Sequence, residues 1–431
     1  MKSLIPLILF LFASFSAQSE KPNIVIIFTD DQGYADLGCY GSKTNLTPRL
    51  DQLAREGTLF TSFYTQTVCG PSRSALLTGR YPCRSKGWGM PAEEITFAEL
   101  IREAGYQTAC IGKWDVSNRK PIIERMPNAQ GFDYFFGALG ANDGGTVKFH
   151  ENNRAAGSSN DMGGLTTLYT DKSIDFLKNR RDPKKPFVLY LAHTMMHTII
   201  DASDRFRGKS QGGLYGDVVE EFDYETGRLL DVLDELRLSE NTLVIYTADN
   251  GPWNQDKYTL KKEGHPEGSV FWGDAGPLRN GKGSPYEGGY RLPCIVRWPG
   301  KVPAGRSSDA VFATIDFLPT FARLCGFEVP RDRRIDGIDQ TDLLMGKTET
   351  GRKTFYFDRA GIRFGKWKYL RAKAHFHGYA REDDRPEAEE LYNLKKDIGE
   401  RENLAEKHPD LVAKLRKLTE EMPQDGPGGI H

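Results

Sequence analysis

Beyond Phe15 the chain lacks any run of about 20 continuously apolar residues, so a membrane-spanning helix in its body is excluded. It also lacks an excess of either charge. Its 58 basic and 59 acidic residues leave a net charge of −1, scattered without a basic stripe or an acidic tail, which offers nothing to hold nucleic acid. Cysteine is sparse: six occur, at 39, 69, 83, 110, 294 and 325, and a chain of 431 residues buries enough core to need no disulfide scaffold. With Cys69 removed from the pool an odd number remains, so at most two disulfides form and one thiol is left over. The acidic motifs come without the several His ligands that a dinuclear zinc site needs. No internal repeat or long low-complexity linker interrupts the chain.

What is present starts at the N-terminus. Met1-Lys2, an apolar stretch from Leu4 to Phe15 and small or polar residues around Ala17 to Ser19 have the layout of a secretory signal peptide over residues 1–19, too short for a span. No Cys follows the apolar stretch to take a lipid. The expectation is an exported protein, periplasmic or extracellular, with no membrane insertion once the signal is removed.

Short β-rich runs at Pro22–Thr29, Phe187–Ala192 and Thr242–Thr247 end at polar residues. Helical stretches lie between them at Thr47–Glu56, Thr96–Ala104, Tyr169–Asn179 and Asp217–Leu236. This alternation predicts an α/β layer fold with a large, mostly parallel sheet flanked by helices. After about residue 341 the texture changes. Phe355–Phe357, Ile362–Phe364 and Trp367–Leu370 predict a smaller antiparallel sheet, and His408–Met422 a closing helix. The expected division is a catalytic domain over 20–340 and a C-terminal subdomain over 341–431.

Residues that carry chemistry gather in separated motifs. The first strand delivers Asp30-Asp31-Gln32-Gly33, and the strand at 242 delivers Asp249-Asn250-Gly251. Adjacent aspartates on a strand point to opposite faces, so both reach one ion only where the chain leaves the strand and twists, which Gly33 permits. Three carboxylates and an amide carbonyl form an all-oxygen set suited to calcium, or magnesium, rather than zinc. Taken singly, each motif is also an ordinary turn sequence. Between and beyond them stand Cys69-Gly70-Pro71-Ser72-Arg73, the segment from Gly105-Tyr106 to Gly112-Lys113-Trp114-Asp115, the histidines His193 and His197, and Gly281-Lys282-Gly283 ahead of Tyr286-Glu287-Gly288-Gly289.

A cysteine with Pro and Arg second and fourth after it resembles the sequence through which a maturation enzyme oxidises Cys to Cα-formylglycine in type I sulfatases. Gly105 to Asp115 is similar to that family's second signature, except that Asp115 stands where His is usual. His197 aligns with an active-site His better than His193 does. Through five motifs in order between Asn23 and Gly300, the chain is identified as a member of the type I, formylglycine-dependent sulfatases of the alkaline phosphatase-like superfamily.

The resemblance implies a formylglycine made from Cys69, and a cation held by Asp30, Asp31, residue 69, Asp249 and Asn250. One hydroxyl of the hydrated aldehyde, held by Arg73, would attack sulfur to give a sulfo-enzyme, and the second would then expel sulfate. Lys113 would bind a non-bridging oxygen, Lys282 and His197 would hold the bridging side with His197 as proton donor, and Asp115 is the candidate base for the diol. Three acids set against a divalent cation and three bases leave about two positive charges for the sulfate, or about one if Asp115 is ionised in the site.

The mix of aromatic, amide, His and Arg side chains in Asn142-Asp143, His150 to Arg154, Trp253 to Trp272 and His375 to His377 suits a sulfated sugar, a glycosaminoglycan or algal polysaccharide fragment. Asn142, His150, Arg154 and Trp253 are the substrate-binding candidates. A formylglycine phosphonate or phosphodiester hydrolase, and a non-catalytic sulfated-glycan binding protein suggested by the missing His, are the competing readings. Protein produced with the maturation enzyme is expected to show a loss of about 18 Da in the peptide spanning Thr67 to Arg80, read by peptide mass spectrometry. An unmodified thiol under those conditions would bring the binding-protein reading forward.

Overall fold

The computed structural model of the chain describes residues 21–253, 272–374, 377–378, 380 and 384–422. The expected leader, most of the Trp253 to Trp272 stretch, and His375 and Phe376 lie outside the described residues. The strands of the main sheet are β1 (Asn23–Thr29), β2 (Thr58–Tyr64), β3 (Gln107–Lys113), β4 (Tyr134–Ala138), β5 (Val147–Glu151), β6 (Arg154–Ser159), β7 (Phe187–Ala192), β8 (Thr242–Ala248), β9 (Arg291–Arg297), β10 (Arg306–Ser308) and β11 (Phe312–Ala313). They form one 11-stranded sheet in the order β10-β2-β9-β8-β1-β7-β3-β4-β5-β6, with β11 added to β2. The centre, β8-β1-β7-β3-β4, is parallel, whereas β9 and β5 join antiparallel on either side.

All seven residues of β1 are buried because both sheet faces are covered. Side chains alternate between faces, so Ile24, Ile26 and Phe28 pack in a cluster with Phe97, Ile101 and Phe321, while Val25 and Ile27 join Leu50, Leu53, Val219 and Phe222 on the other side. Helix α1 (Pro48–Glu56) opens on a proline and the helix Phe97–Glu103 on a Thr96/Glu99 capping box, both close to the expected starts. The helix expected over Tyr169–Asn179 begins earlier, at Leu165, and leaves the α-helix at Asp175 for a π-helical turn over Phe176–Arg180.

The C-terminal sheet is antiparallel, as the sequence predicts: β12 (Thr354–Tyr356), β13 (Gly361–Phe364), β14 (Trp367–Leu370) and β15 (Glu390–Asn393). The last of these lies outside the expected set. Its four residues offer only Leu391 and Tyr392 as a β-forming pair. The helix Pro409–Glu420 covers the sheet through Val412 and Leu415 against Ile362, Tyr369 and Leu391. A single apolar cluster spans both sheets, with Tyr64, Ala75 and Tyr290 against Phe355, Phe357 and Leu370. All six cysteines lie among the described residues and none is in a disulfide. Among the described residues no helix is long and apolar enough to cross a membrane.

Register sets the working edge. Phe28 of β1 and Gly112 of β3 both lie beside Ala192 of β7, and Thr29 lies beside Ala248 of β8, so four parallel strands end level. Just before that edge, Gly112 (φ 111°) and Gly137 pair across β3 and β4. A Cβ on Gly112 would overlap the Ala192 carbonyl, and one on Gly137 the carbonyl of Gly112. Gly112→Ala is therefore expected to destabilise the protein by roughly 2–4 kcal/mol, seen as a lower urea midpoint at unchanged slope.

Candidate active site

Open α/β sheets bind ligands at the carboxyl ends of their parallel strands, and the motif residues meet there. Asp30 and Asp31 follow β1, Lys113 ends β3, His193 and His197 follow β7, and Asp249 and Asn250 follow β8. Cys69 is the first residue of helix α2 (Cys69–Thr78) and Arg73 lies one turn further on, both buried. The twist that lets both aspartates serve one site falls on Asp31 itself (φ 55°), a conformation Asp tolerates, and not on Gly33. Gly33 serves a different need, since a Cβ there would overlap the backbone of Asp274.

Acids and bases alternate in this core. Arg73 donates to Asp249 Oδ2 at 2.9 and 3.1 Å, to Asp30 Oδ2 at 3.4 Å, and to the carbonyls of Lys113 (2.9 Å) and His193 (3.2 Å). Lys113 Nζ lies 2.5 Å from Asp30 Oδ2, and Lys282 Nζ lies 2.6 Å from Asp31 Oδ1 and 3.5 Å from Cys69 Sγ. The Cys69 thiol donates to Asp30 Oδ1 at 3.3 Å. Burial pushes the Asp30 carboxyl up, but Lys113, His197, Arg73 and Lys282 outweigh it and hold the group well below the ordinary range. Burial, helped by the Asp30 charge, pushes Asp249 up. Burial and Asp30 also raise the Cys69 thiol far above its usual value, so the unmodified side chain is a poor nucleophile at neutral pH.

The donor set fits a divalent cation. Asp30, Asp31, Cys69 and His197 place ligand atoms within 4.8 Å of one another. Asn250 donates to Asp31 Oδ1 at 2.7 Å, leaving its own Oδ1 buried without a hydrogen-bond partner, an acceptor that a hard cation would satisfy.

Asp115 sits in the site, fully buried, with a carboxylate oxygen 3.6 Å from Lys113 Nζ. Two side chains that sequence reasoning missed hold it: Trp88 Nε1 donates at 3.0 Å and Arg119 Nε at 2.9 Å. Arg119 shares its charge between Asp115 and Asp143. Its position four residues after Asp115 was a weak signal, whereas nothing in the sequence pointed to Trp88. Arg119 also pairs with Asp143 at 3.0 Å, and Asp143 lies 3.5 Å from His197 Nε2. Trp253 packs edge-on to His197, with ring centroids 5.7 Å apart, and Lys282 Nζ lies 5.0 Å from the centre of its ring.

The other candidates sit apart from the cluster. Asn142 spends its amide on the carbonyls of His197 (3.0 Å) and Ile199 (2.7 Å), bracing the loop that carries His197. His150 is on β5, opposite Gly137, one strand beyond β4. Arg154 is exposed on the edge strand β6 opposite Glu151, at the end of the strand away from the site.

The two histidines divide clearly. His193 accepts the Met195 N–H at Nδ1 (2.9 Å) and is packed edge-on by Tyr169 and Phe222, while His197 faces Asp31 at 3.7 Å.

An eleven-stranded mixed sheet with acids, bases and a helix-starting Cys at its parallel edge defines a hydrolase of the alkaline phosphatase-like fold. The sulfatase family model matches residues 22–327, and a model described as N-sulphoglucosamine sulphohydrolase, C-terminal, matches 281–425. The chain belongs to the sulfatase family and is a sulfuric ester hydrolase. It is 36% identical over 376 residues to the N-acetylgalactosamine-6-sulfatase of Canis lupus familiaris, covering 78% of this chain and 69% of the relative. It is 32% identical over 439 residues to the steryl-sulfatase of Homo sapiens, covering 81% and 74%. Among solved structures it resembles a sulfatase from work on glycosaminoglycan metabolism by Bacteroides thetaiotaomicron, with a TM-score of 0.81, 28% identity, and 94% of this chain and 99% of that one covered. It also resembles the PsFucS1 sulfatase of Pseudoalteromonas sp., with a TM-score of 0.79, 26% identity and coverages of 94% and 90%.

Burial lowers His193 from its usual value to about 3. Below pH 6.5 the unfolded chain binds a proton at this His that the native protein refuses, so stability falls as pH drops from about 6.5 towards 3, by up to about 1.4 kcal/mol per unit. Equilibrium unfolding across that range is expected to show the slope in the wild type and a shallower one in His193→Phe.

Proposed function

We propose that this sulfatase cleaves O-sulfate from a carbohydrate, with residue 69 matured to formylglycine by a partner enzyme and calcium held by Asp30, Asp31, Asp249 and Asn250. The observation that carries this reading is the position of Cys69: buried at a helix start, 3.3 Å from Asp30 and 3.5 Å from Lys282, with Arg73 one turn behind it. Maturation supplies a hydroxyl nucleophile in place of a thiol that burial keeps protonated, and the cation supplies positive charge where the sulfate oxygens sit.

The chain's own residues supply the rest. Arg73 fixes Asp30 and Asp249 together, which aims the donor set without needing side-chain freedom. Lys113, between Asp30 and Asp115, is placed to meet a non-bridging oxygen. Lys282 and His197 take the bridging side. His197 Nδ1 is 2.5 Å from the Thr198 carbonyl, which leaves Nε2 to face the site. Burial, then Lys282, lowers the imidazole, and an arriving sulfate anion favours its protonated form, ready to give the Nε2 proton to the departing alcohol. Asp115, oriented by Trp88 and Arg119, is the base that accepts the proton released at residue 69.

A sugar fits the rim, where the Arg119–Asp143 pair offers a donor and an acceptor for hydroxyls and Trp253 stands against His197. Two relatives support the class. One is the 6-sulfatase of N-acetylgalactosamine, and the other is a structure solved with k-i-k-neocarrahexaose, at 27% identity and a TM-score of 0.77. The leader-like N-terminus supports export.

The test is sulfate release by the matured enzyme from 6-sulfated N-acetylgalactosamine, a carrageenan oligosaccharide, an aryl sulfate and a phosphate diester. Turnover is expected on a sulfated sugar, lost on chelation and restored by calcium. Asp115→Asn should lower kcat by at least about a hundred-fold while retaining a pre-steady-state burst on the aryl sulfate. Faster turnover of the phosphate diester would overturn the assignment.

A further inference from the structure

The loop that carries Lys282 has no regular structure between Gly276 and Tyr286, and glycines flank the lysine on both sides. On the catalytic side it is tied by Lys282 N to the Pro252 carbonyl (2.9 Å) and by Gly283 N to the Thr67 carbonyl (2.9 Å). Its two ends meet in a neck, where the Arg279 guanidinium stacks 3.8 Å over the Tyr286 ring. The C-terminal sheet grips that neck. Arg279 Nε donates to Asp384 at 2.9 Å, its Nη1 donates to the Tyr392 hydroxyl and the Glu400 carbonyl at 3.0 Å each, and its Nη2 also pairs with Asp384. Asn280 donates to the other Asp384 oxygen at 3.1 Å, and the Tyr286 hydroxyl to Glu390 at 2.9 Å.

The next residue is gripped as firmly. Buried Lys368 of β14 lies 3.0 Å from Glu287 and 2.8 Å from Glu400, and Glu287 N donates to Glu400 at 2.7 Å. A compact loop closed at its neck transmits the position of the neck to its tip. The Lys282 ammonium itself meets Asp31 at 2.6 Å and Cys69 at 3.5 Å, and the loop backbone sets the root of its flexible four-carbon stem.

We infer that Arg279 is a positioning residue for Lys282, its clasp on Asp384, Tyr392 and Glu400 making the C-terminal sheet set where the ammonium stands beside Cys69. The inference rests on the reading of Lys282 as the group serving the bridging oxygen. Arg279 and Asp384 are 27% and 28% exposed, so the clasp can be altered without emptying a core, unlike Lys368.

Arg279→Met keeps the stem and removes the fork. With an alkyl leaving group, which needs help at the bridging oxygen, kcat should fall by about 10–100-fold; with 4-nitrophenyl sulfate, which does not, by less than about 3-fold. In a Lys282→Ala background the same change should add nothing, since both act through one group. Independently of turnover, acetylation of Lys282 by acetic anhydride, read by peptide mass spectrometry, should rise several-fold over the protected wild type. Asp384→Asn should reproduce the pattern at smaller size should the first variant fail to fold. Equal losses on both leaving groups, full multiplication of effects in the double variant, or unchanged acetylation would each overturn the inference. If the wild type released no sulfate from any ester, the functional reading would fail, and the acetylation result alone would still decide whether Arg279 places Lys282.

Discussion

Arg73 is the residue on which the site depends. Its guanidinium is fully buried and spans Asp30, Asp249 and the main chain after β3 and β7, so one side chain ties four elements to a helix start. Burying that charge is tolerable only because every donor finds a carboxylate or carbonyl. Burial works against the charged form, and Asp249 and Asp30 more than restore it. The reverse also holds, since those carboxylates stay inside the protein because Arg73, Lys113 and Lys282 surround them. With acids and bases in near balance, a divalent ion held there would supply the surplus charge for an anionic ester.

The parallel sheet makes such an arrangement possible. Four level strand ends bring residues from 30, 113, 193 and 249 to one edge, with backbone hydrogen bonds already satisfied within the sheet. The C-terminal sheet adds a second buried network of the same kind, in which Glu287 is held by Lys368, Tyr64 and Arg291; burial raises its carboxyl, but the charges of Lys368, Arg291 and Arg363 overrule that and lower it to about 2. Two buried charge networks flank the loop of Lys282, one under its tip and one under its neck.

Legibility followed range in sequence. Pro22–Thr29 reads as a buried strand because its apolar run is continuous, and it forms β1 almost to the residue. β15 does not read as a strand, because its partner β14 supplies the order that Glu390–Asn393 lacks alone. Within the site, the motif residues Asp30, Asp31, Cys69, Arg73, Lys113, His197, Asp249 and Lys282 converge. Trp88 and Arg119 carried no motif, and their contacts with Asp115, and that of Arg119 with Asp143, exist only in the folded chain. His150 and Arg154 looked equally suitable as pocket residues, yet strand register carries them outward across β4 and β5.

The sequence by itself determined the layer order and the identity of the charged groups, because strand periodicity and short motifs are local properties of the chain. Only tertiary structure decided that Asp31 rather than Gly33 takes the left-handed turn, and which side chains meet Asp115. It also decided that the Lys282 loop is gripped from the C-terminal sheet. Each of these turns on groups far apart in the chain meeting in a low-dielectric interior, where distance and burial set charge and orientation.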